Sequence, residues 1–117
     1  MFGLAEDTDL EFLKGAVLEQ VCIGAHEVIF RFEQDLSITV ESDFLVALNE
    51  VGQRFEDTRS SANACAALLG EQIVDVHVLP EGTLAVEFSA AKRLELYDSS
   101  PNYESYQITH GLKTIVI

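Results

Sequence analysis

The sequence predicts a mainly β fold: a duplicated three-stranded antiparallel meander plus a C-terminal hairpin, forming a small sandwich or partly open barrel with one short helix. Three observations support this prediction. Residues 15–42 and 70–98 repeat one apolar pattern, apolar and polar residues alternate within each copy, and an alanine-rich segment lies between the copies. The 117 residues, 48% of them hydrophobic and 23% charged, have the size and composition of a single domain, 1–117.

The internal repeat predicts the strands of both meanders. Gly15 aligns with Gly70, and three apolar runs follow in each copy, separated by short breaks. In the second strand of each meander, alternate residues are predicted to face the core: Val28, Phe30 and Phe32 in the first copy, and Leu84, Val86 and Phe88 in the second. Their neighbours, among them Arg31 and Glu87, are predicted to face solvent.

The segment between the copies predicts a linking helix over about 58–69, because SSANACAALL is rich in alanine. Asp57, Thr58 and Ser60 are candidate N-caps, and Gly70 is placed to end the helix.

Three further segments complete the predicted fold. FLVALNEV, residues 44–51, fits either a returning strand or a helical turn, and the N-terminal LEFLKG is predicted to cover an open sheet edge. YESYQI and KTIVI flank a turn at Thr109-His110-Gly111 and predict a terminal hairpin over about 103–117. The expected total is about eight strands.

Three quoted segments carry a resemblance to known proteins: GEQIVDVHVLPEGTLAVEFS, LELYDSS and YESYQI. Together they resemble a group of small bacterial proteins of unknown function with a C-terminal Tyr-Glu-Ser motif, followed by Tyr or Trp. Some of those are similar to candidate immunity proteins encoded beside secreted toxins. The resemblance covers residues 69–117, and more loosely 15–42; it implies a fold but no catalytic residues. One departure is Ser89-Ala90-Ala91-Lys92, where an Asp-Gly turn is expected, and it leaves the tightness of that turn open.

The charge balance narrows the possible partners. Twenty acidic against seven basic residues give a formal net charge of −13 and a pI near 4.3. Nucleic-acid binding needs Lys and Arg to replace counterions on phosphate, so DNA and RNA are predicted not to be ligands, and an anionic membrane is disfavoured for the same reason. A basic protein partner is favoured.

The chain is predicted to be cytoplasmic. No apolar run is long enough to cross a bilayer, and MFGLAEDTDLEF has acidic residues where a signal peptide carries basic ones. Two cysteines, Cys22 and Cys65, are too few for a secreted disulfide framework and are read as reduced thiols.

The sequence predicts no catalytic site, no metal site and no cofactor site. Cys22 and His26 lie four residues apart, and His77 aligns with Cys22 in the repeat, but no CxxC or HxxxH pair accompanies them. Cys65 lies in the alanine-rich segment, where a small packed side chain is expected. GxSxG, HExxH and phosphate-binding glycine loops do not occur.

The candidate binding residues lie in the second half of the chain. Asp75, Glu87 and Glu95 are predicted to share the solvent face of the second meander with Arg93, as an acidic strip that is either an ordinary solvated face or a docking surface for cationic groups. In YESYQI, Tyr106 is predicted to pack inward with its hydroxyl at the rim, and Tyr103 to point outward and contact a partner.

Three functional hypotheses follow. The first is a non-enzymatic acidic binding protein, specifically an immunity-type inhibitor of a basic toxin. The second is a small-ligand-binding or enzymatic β-barrel with a pocket between the two meanders, lined by Phe30, Phe32, Val86, Phe88 and Tyr106. The third is a structural protein that forms a homodimer through an exposed edge strand.

Overall fold

The computed structural model describes residues 9–98 and 105–117, and these contain ten strands and one short α-helix. In chain order the elements are β1 (Leu18–Ile23), β2 (Val28–Phe32), β3 (Leu36–Val40), β4 (Phe44–Leu48), β5 (Val51–Phe55), α1 (Ala62–Ala66), β6 (Ile73–Val78), β7 (Leu84–Phe88), β8 (Lys92–Leu96), β9 (Tyr106–His110) and β10 (Lys113–Val116). Single 3₁₀ turns at Glu11–Leu13 and Arg59–Ser61 precede β1 and α1.

The strands form two five-stranded antiparallel sheets, with orders β1-β2-β3-β9-β10 and β5-β4-β8-β7-β6. The predicted mainly β fold, its two meanders and its terminal hairpin are therefore confirmed. The strand order also shows that each hairpin pairs with the meander that it does not directly follow in sequence, which we call the exchange of hairpins. The hairpin β4–β5 follows the first meander in sequence but pairs with the second, while β9–β10 follows the second meander and pairs with the first.

The predicted count of about eight strands was too low for the described residues because 44–55 forms a complete hairpin. Leu48 pairs with Val51, so only Asn49 and Glu50 form the turn. Both have positive φ, 53° and 68°, as a type I′ hairpin turn requires.

The two meanders meet at one corner of the molecule. Val17 and Gln72 form an isolated antiparallel bridge, and the N–H of Gly15 donates to the carbonyl oxygen of Ile73 at 2.8 Å. The 3₁₀ turn at Glu11–Leu13 lies against β6 at this corner, and Leu13 is buried. In the described ranges the pairing does not close into a barrel, and the sheets pack as a sandwich.

The core lies between the inner faces of the two sheets. The inward residues predicted for β2 and β7 are confirmed, since Phe30, Phe32 and Phe88 are all buried, but Ala85, predicted to face solvent, is buried as well. Phe32 stacks on Phe88 with centroids 6.3 Å apart, and Phe30 meets Phe44 edge-on at 6.2 Å. The aromatic residues of the two copies therefore join the sheets.

Tyr106 packs into this core from β9, as predicted, but its hydroxyl does not reach the rim. The side chain is fully buried, and Oη donates a hydrogen bond to the carbonyl oxygen of Gly82 at 2.9 Å. Burial raises the pKa of Tyr106 because the phenolate would lose its hydration.

The helical segment is shorter than the prediction of about 58–69. Thr58 does not cap it; instead Asp57 Oδ1 accepts the N–H of Arg59 at 3.2 Å. Cys65 is buried within the helix, which raises the pKa of its thiol and favours the unreactive protonated form.

Candidate functional site

The predicted acidic strip lies on the outer face of the second sheet. Asp75 pairs with Glu87 across β6 and β7, and Glu95 lies on β8. Lys14 Nζ lies 3.4 Å from Asp75 Oδ1, and Arg93 lies 2.8 Å from Glu95 Oε2. Two of the three carboxylates are thus paired with cations of this same chain, which weakens the field that the strip presents to a partner.

The third carboxylate of the strip, Glu87, contacts an imidazole. His77 Nε2 lies 2.9 Å from Glu87 Oε2 and 3.2 Å from Asp75 Oδ2. The pKa of Asp75 is lowered, first by the backbone N–H of Val76 and then by the charges of His77 and Lys14. Over the described ranges, Asp75, His77 and Glu87 are the one group of three or more His, Cys, Asp or Glu donors close enough to hold an ion; Cys22 and His26 are not in it.

The two tyrosines predicted as binding residues have different outcomes. Tyr106 has no exposed surface, and Tyr103 lies outside the described residues. The pocket hypothesised between the meanders coincides with the core, because each of its five proposed lining residues is at most 5% exposed: Phe30, Phe32, Val86, Phe88 and Tyr106.

A cleft of about 970 Å³ lies elsewhere, at one end of the sandwich. It is formed by the β1–β2 turn, the β3–β4 connection and the segment after β5. The lining residues are Ala25, His26, Glu27, Val40, Glu41, Ser42, Asp43, Phe44, Glu56, Asp57 and Thr58. Five of these are carboxylates and none is Lys or Arg, so the cleft carries a concentrated negative charge.

Hydrogen bonds between distant segments hold the cleft in shape. Thr58 Oγ1 donates to the carbonyl oxygen of Gly24 at 2.6 Å, which joins the segment after β5 to the β1–β2 turn. Ser42 Oγ donates to the carbonyl oxygen of Tyr97 at 2.7 Å, which fixes the β3–β4 connection. The carboxylates are therefore mounted on tied turns rather than on free loops.

One cation borders the cleft. Arg54 Nη2 lies 2.8 Å from Asp43 Oδ2, and its guanidinium lies 4.5 Å from the ring centre of Tyr97. The hydrogen bond to Asp43 raises the pKa of Arg54. Asp43 is thus paired, while Glu27, Glu56 and Asp57 add negative charge at the same end of the sandwich, which favours a cationic ligand.

The cleft also has apolar lining residues. Val40 and Phe44 are buried beneath it, and Ala25 lies at its rim. Lys and Arg place their aliphatic stems on apolar surface while their charged ends bind carboxylates. Because Val40 and Phe44 are each 2% exposed, the apolar lining residue that such a stem can reach is Ala25, and the cleft offers mainly the counter-charge that a Lys or Arg side chain uses.

The cleft is not evident in the sequence because its acidic residues lie in three separate segments. Glu27, Glu41, Asp43, Glu56 and Asp57 each follow or precede a strand, and only the topology brings them together. The signal in the sequence was that acidic residues stand at consecutive strand ends. In a chain with 20 acidic residues, such positions are not distinctive.

None of the helices in the described part of the chain is long and apolar enough to traverse a bilayer. Searches of curated proteins and of solved structures each find no match. One family model does match, a family of unknown function (DUF6188), over residues 10–117. Because that match covers nearly the whole sequence, including both meanders and both hairpins, the chain belongs to the DUF6188 family.

Proposed function

We propose that the protein is a cytoplasmic, non-enzymatic binding protein whose acidic cleft takes a cationic segment of a basic protein, as an immunity-type inhibitor takes a toxin. The cleft carries this proposal, because five acidic residues line it and none of its lining residues is Lys or Arg. The net charge of −13 supports it, because a field of one sign accelerates the encounter with an oppositely charged partner.

The nature of the partner follows from the charge. A cleft without Lys or Arg in its lining repels phosphate groups, so a nucleic acid or an anionic lipid is a poor ligand. Basic active sites and basic surfaces of toxins present Lys and Arg, and these match the cleft in charge. The resemblance of the C-terminal segments to candidate immunity proteins points to the same class of partner.

The test compares two variants of equal net charge. Glu27→Gln/Glu56→Gln removes two charges from the cleft, and Glu50→Gln/Glu81→Gln removes two charges from exposed positions outside it. Each purified protein is used as bait in a lysate of the native host at about 0.05 M and about 0.5 M salt, which shortens the screening length by about threefold.

The expected result is recovery of one basic protein at low salt by the wild type and by the Glu50/Glu81 variant, with loss in high salt and in the Glu27/Glu56 variant. Equal recovery by both variants would refute the cleft as the contact site. Recovery of the bait alone, with a dimer in sedimentation, would support the edge-strand homodimer instead.

A further inference from the structure

We propose that Asp75, His77 and Glu87 bind a divalent transition-metal ion, with Zn²⁺ as the reference ion. The three donor atoms lie within 4.8 Å of one another. This site lies on the outer face of the second sheet, on different elements from the acidic cleft, and it does not depend on the proposed function.

The backbone places the three side chains together. Asp75 and His77 are two residues apart on β6 and therefore point to the same face. Glu87 is directly opposite Asp75 on β7. Ligands on paired strands are held more precisely than ligands on loops, so only side-chain torsions need to adjust when an ion binds.

The distances suit a single ion. His77 Nε2 is 3.2 Å from Asp75 Oδ2 and 2.9 Å from Glu87 Oε2. Donors about 2.0–2.1 Å from a tetrahedral Zn²⁺ are separated by about 3.3 Å, so the two distances from His77 are close to those around a bound ion. The three donor atoms together lie within 4.8 Å, and the carboxylates turn inward when the ion binds. One imidazole and two carboxylates form a donor set used by zinc and other first-row metals, and water completes the coordination.

Neighbouring groups orient the Asp75 ligand. The backbone N–H of Val76 donates to Asp75 Oδ1 at 2.9 Å, and Lys14 Nζ lies 3.4 Å from the same oxygen. These contacts leave Oδ2 directed at His77. Hydrogen bonds to the non-ligating oxygen of a carboxylate are a common means of fixing a metal ligand in position.

The first meander provides an internal comparison. Both meanders have a register shift at the same place, between Leu18 and Gln20 in β1 and between Ile73 and Asp75 in β6. At the positions equivalent to Asp75, His77 and Glu87, the first copy has Gln20, Cys22 and Arg31. The backbone forms without the three metal ligands, so the cluster is not a requirement of the fold.

The experiment is isothermal titration of the tag-free protein with ZnCl₂, in the wild type and in three variants. One ion is expected to bind per wild-type chain. His77→Gln and Glu87→Gln are each expected to weaken the affinity by at least about tenfold, because each removes a ligand. His26→Gln, in the acidic cleft, is the matched control and is expected to bind as the wild type does.

A second readout is the thermal midpoint, which Zn²⁺ raises only where it binds the folded chain. It is expected to rise in the wild type and in His26→Gln, and to stay unchanged in His77→Gln. Absence of saturable binding to the wild type would overturn the proposal. Equal affinity in His77→Gln would overturn it as well, and so would loss of binding in His26→Gln, which would place the ion in the cleft.

Discussion

The β7–β8 turn has two alanines in a backbone conformation that alanine disfavours. Replacing these two alanines by glycine is expected to stabilise the protein. Phe88 pairs with Lys92, and the residues between them include Ala90 and Ala91 with φ of 63° and 57°. The resemblance to related proteins suggested an Asp-Gly turn here. The structure shows that the turn is tight despite the missing glycine, so the two alanines carry the strain.

The magnitude follows from two opposing terms. The left-handed conformation costs a residue with a Cβ atom about 1–2 kcal/mol. Glycine in exchange loses about 0.5–1 kcal/mol more conformational entropy on folding than alanine does. Each Ala→Gly change should therefore raise the free energy of unfolding by about 0.5 kcal/mol, and Ala90→Gly/Ala91→Gly together by about 1 kcal/mol. For a chain of this size that is a rise of about 4 °C in the thermal midpoint.

The assay is urea denaturation, with Ala66→Gly as the matched control. Ala66 is an exposed residue at the end of α1, where the backbone is helical. The same chemical change has the same effect on the unfolded chain, so only the native backbone conformation differs between the variants. The control is expected to lose about 0.5–1 kcal/mol. A loss of similar size in Ala90→Gly/Ala91→Gly would refute the argument from backbone strain.

Two further predictions concern buried and paired polar groups. Tyr106→Phe leaves the carbonyl oxygen of Gly82 without its hydrogen bond and should lower the free energy of unfolding by about 1–3 kcal/mol at pH 7, measured in urea. Because the pKa of Tyr106 is raised in the folded state, the wild type should lose stability as the pH rises above about 10, and Tyr106→Phe should lose less. The hydrogen bond from Lys92 lowers the pKa of Glu71, so its contribution is present above about pH 4.3 and is lost as the pH falls further. Glu71→Gln should therefore be less stable than the wild type at pH 7, and the difference should shrink as the pH falls below about 4.3; a constant difference would contradict this assignment.

The parts of the fold that local pattern determines were predicted correctly. Alternation of apolar residues places Phe30 and Phe88 inward for any order of strand pairing, because successive side chains of a strand point to opposite faces. The β4–β5 hairpin was not predicted because its turn is Asn49-Glu50, and Glu is an unusual residue at positive φ. Without a glycine to mark the turn, the apolar run on its N-terminal side also fits a helix.

The candidate sites required information that local pattern does not contain. Asp75 and Glu87 were predicted to share a face of the sheet, and the structure confirms this by pairing them directly across β6 and β7. That prediction placed Arg93 on the same face as Glu95, but it did not include Lys14, which arrives from the N-terminal turn. The cleft depends on which strand ends meet, and the crossing of each hairpin to the other sheet determines that.

The exchange of hairpins places Ser105, the last residue of the Tyr-Glu-Ser motif, beside the connection that contributes Glu41 and Asp43 to the cleft. The chain passes from the first sheet to the second at residues 41–43, and it returns between Tyr97 and Ser105. The N–H of Glu41 donates to the carbonyl oxygen of Ser105 at 2.9 Å, and Ser42 Oγ donates to the carbonyl oxygen of Tyr97 at 2.7 Å.

Ser105, the last residue of the motif, has a structural role at this crossing. It is buried, and its Oγ donates to Asp98 Oδ1 at 2.7 Å. A serine fits because its backbone carbonyl and its hydroxyl bind different strand connections at once, which a larger side chain in the same buried space would prevent. Ser105 therefore ties the second crossing to the first, and the first crossing contributes Glu41 and Asp43 to the cleft. In this way Ser105 helps to fix the backbone from which two of the five acidic residues of the cleft extend.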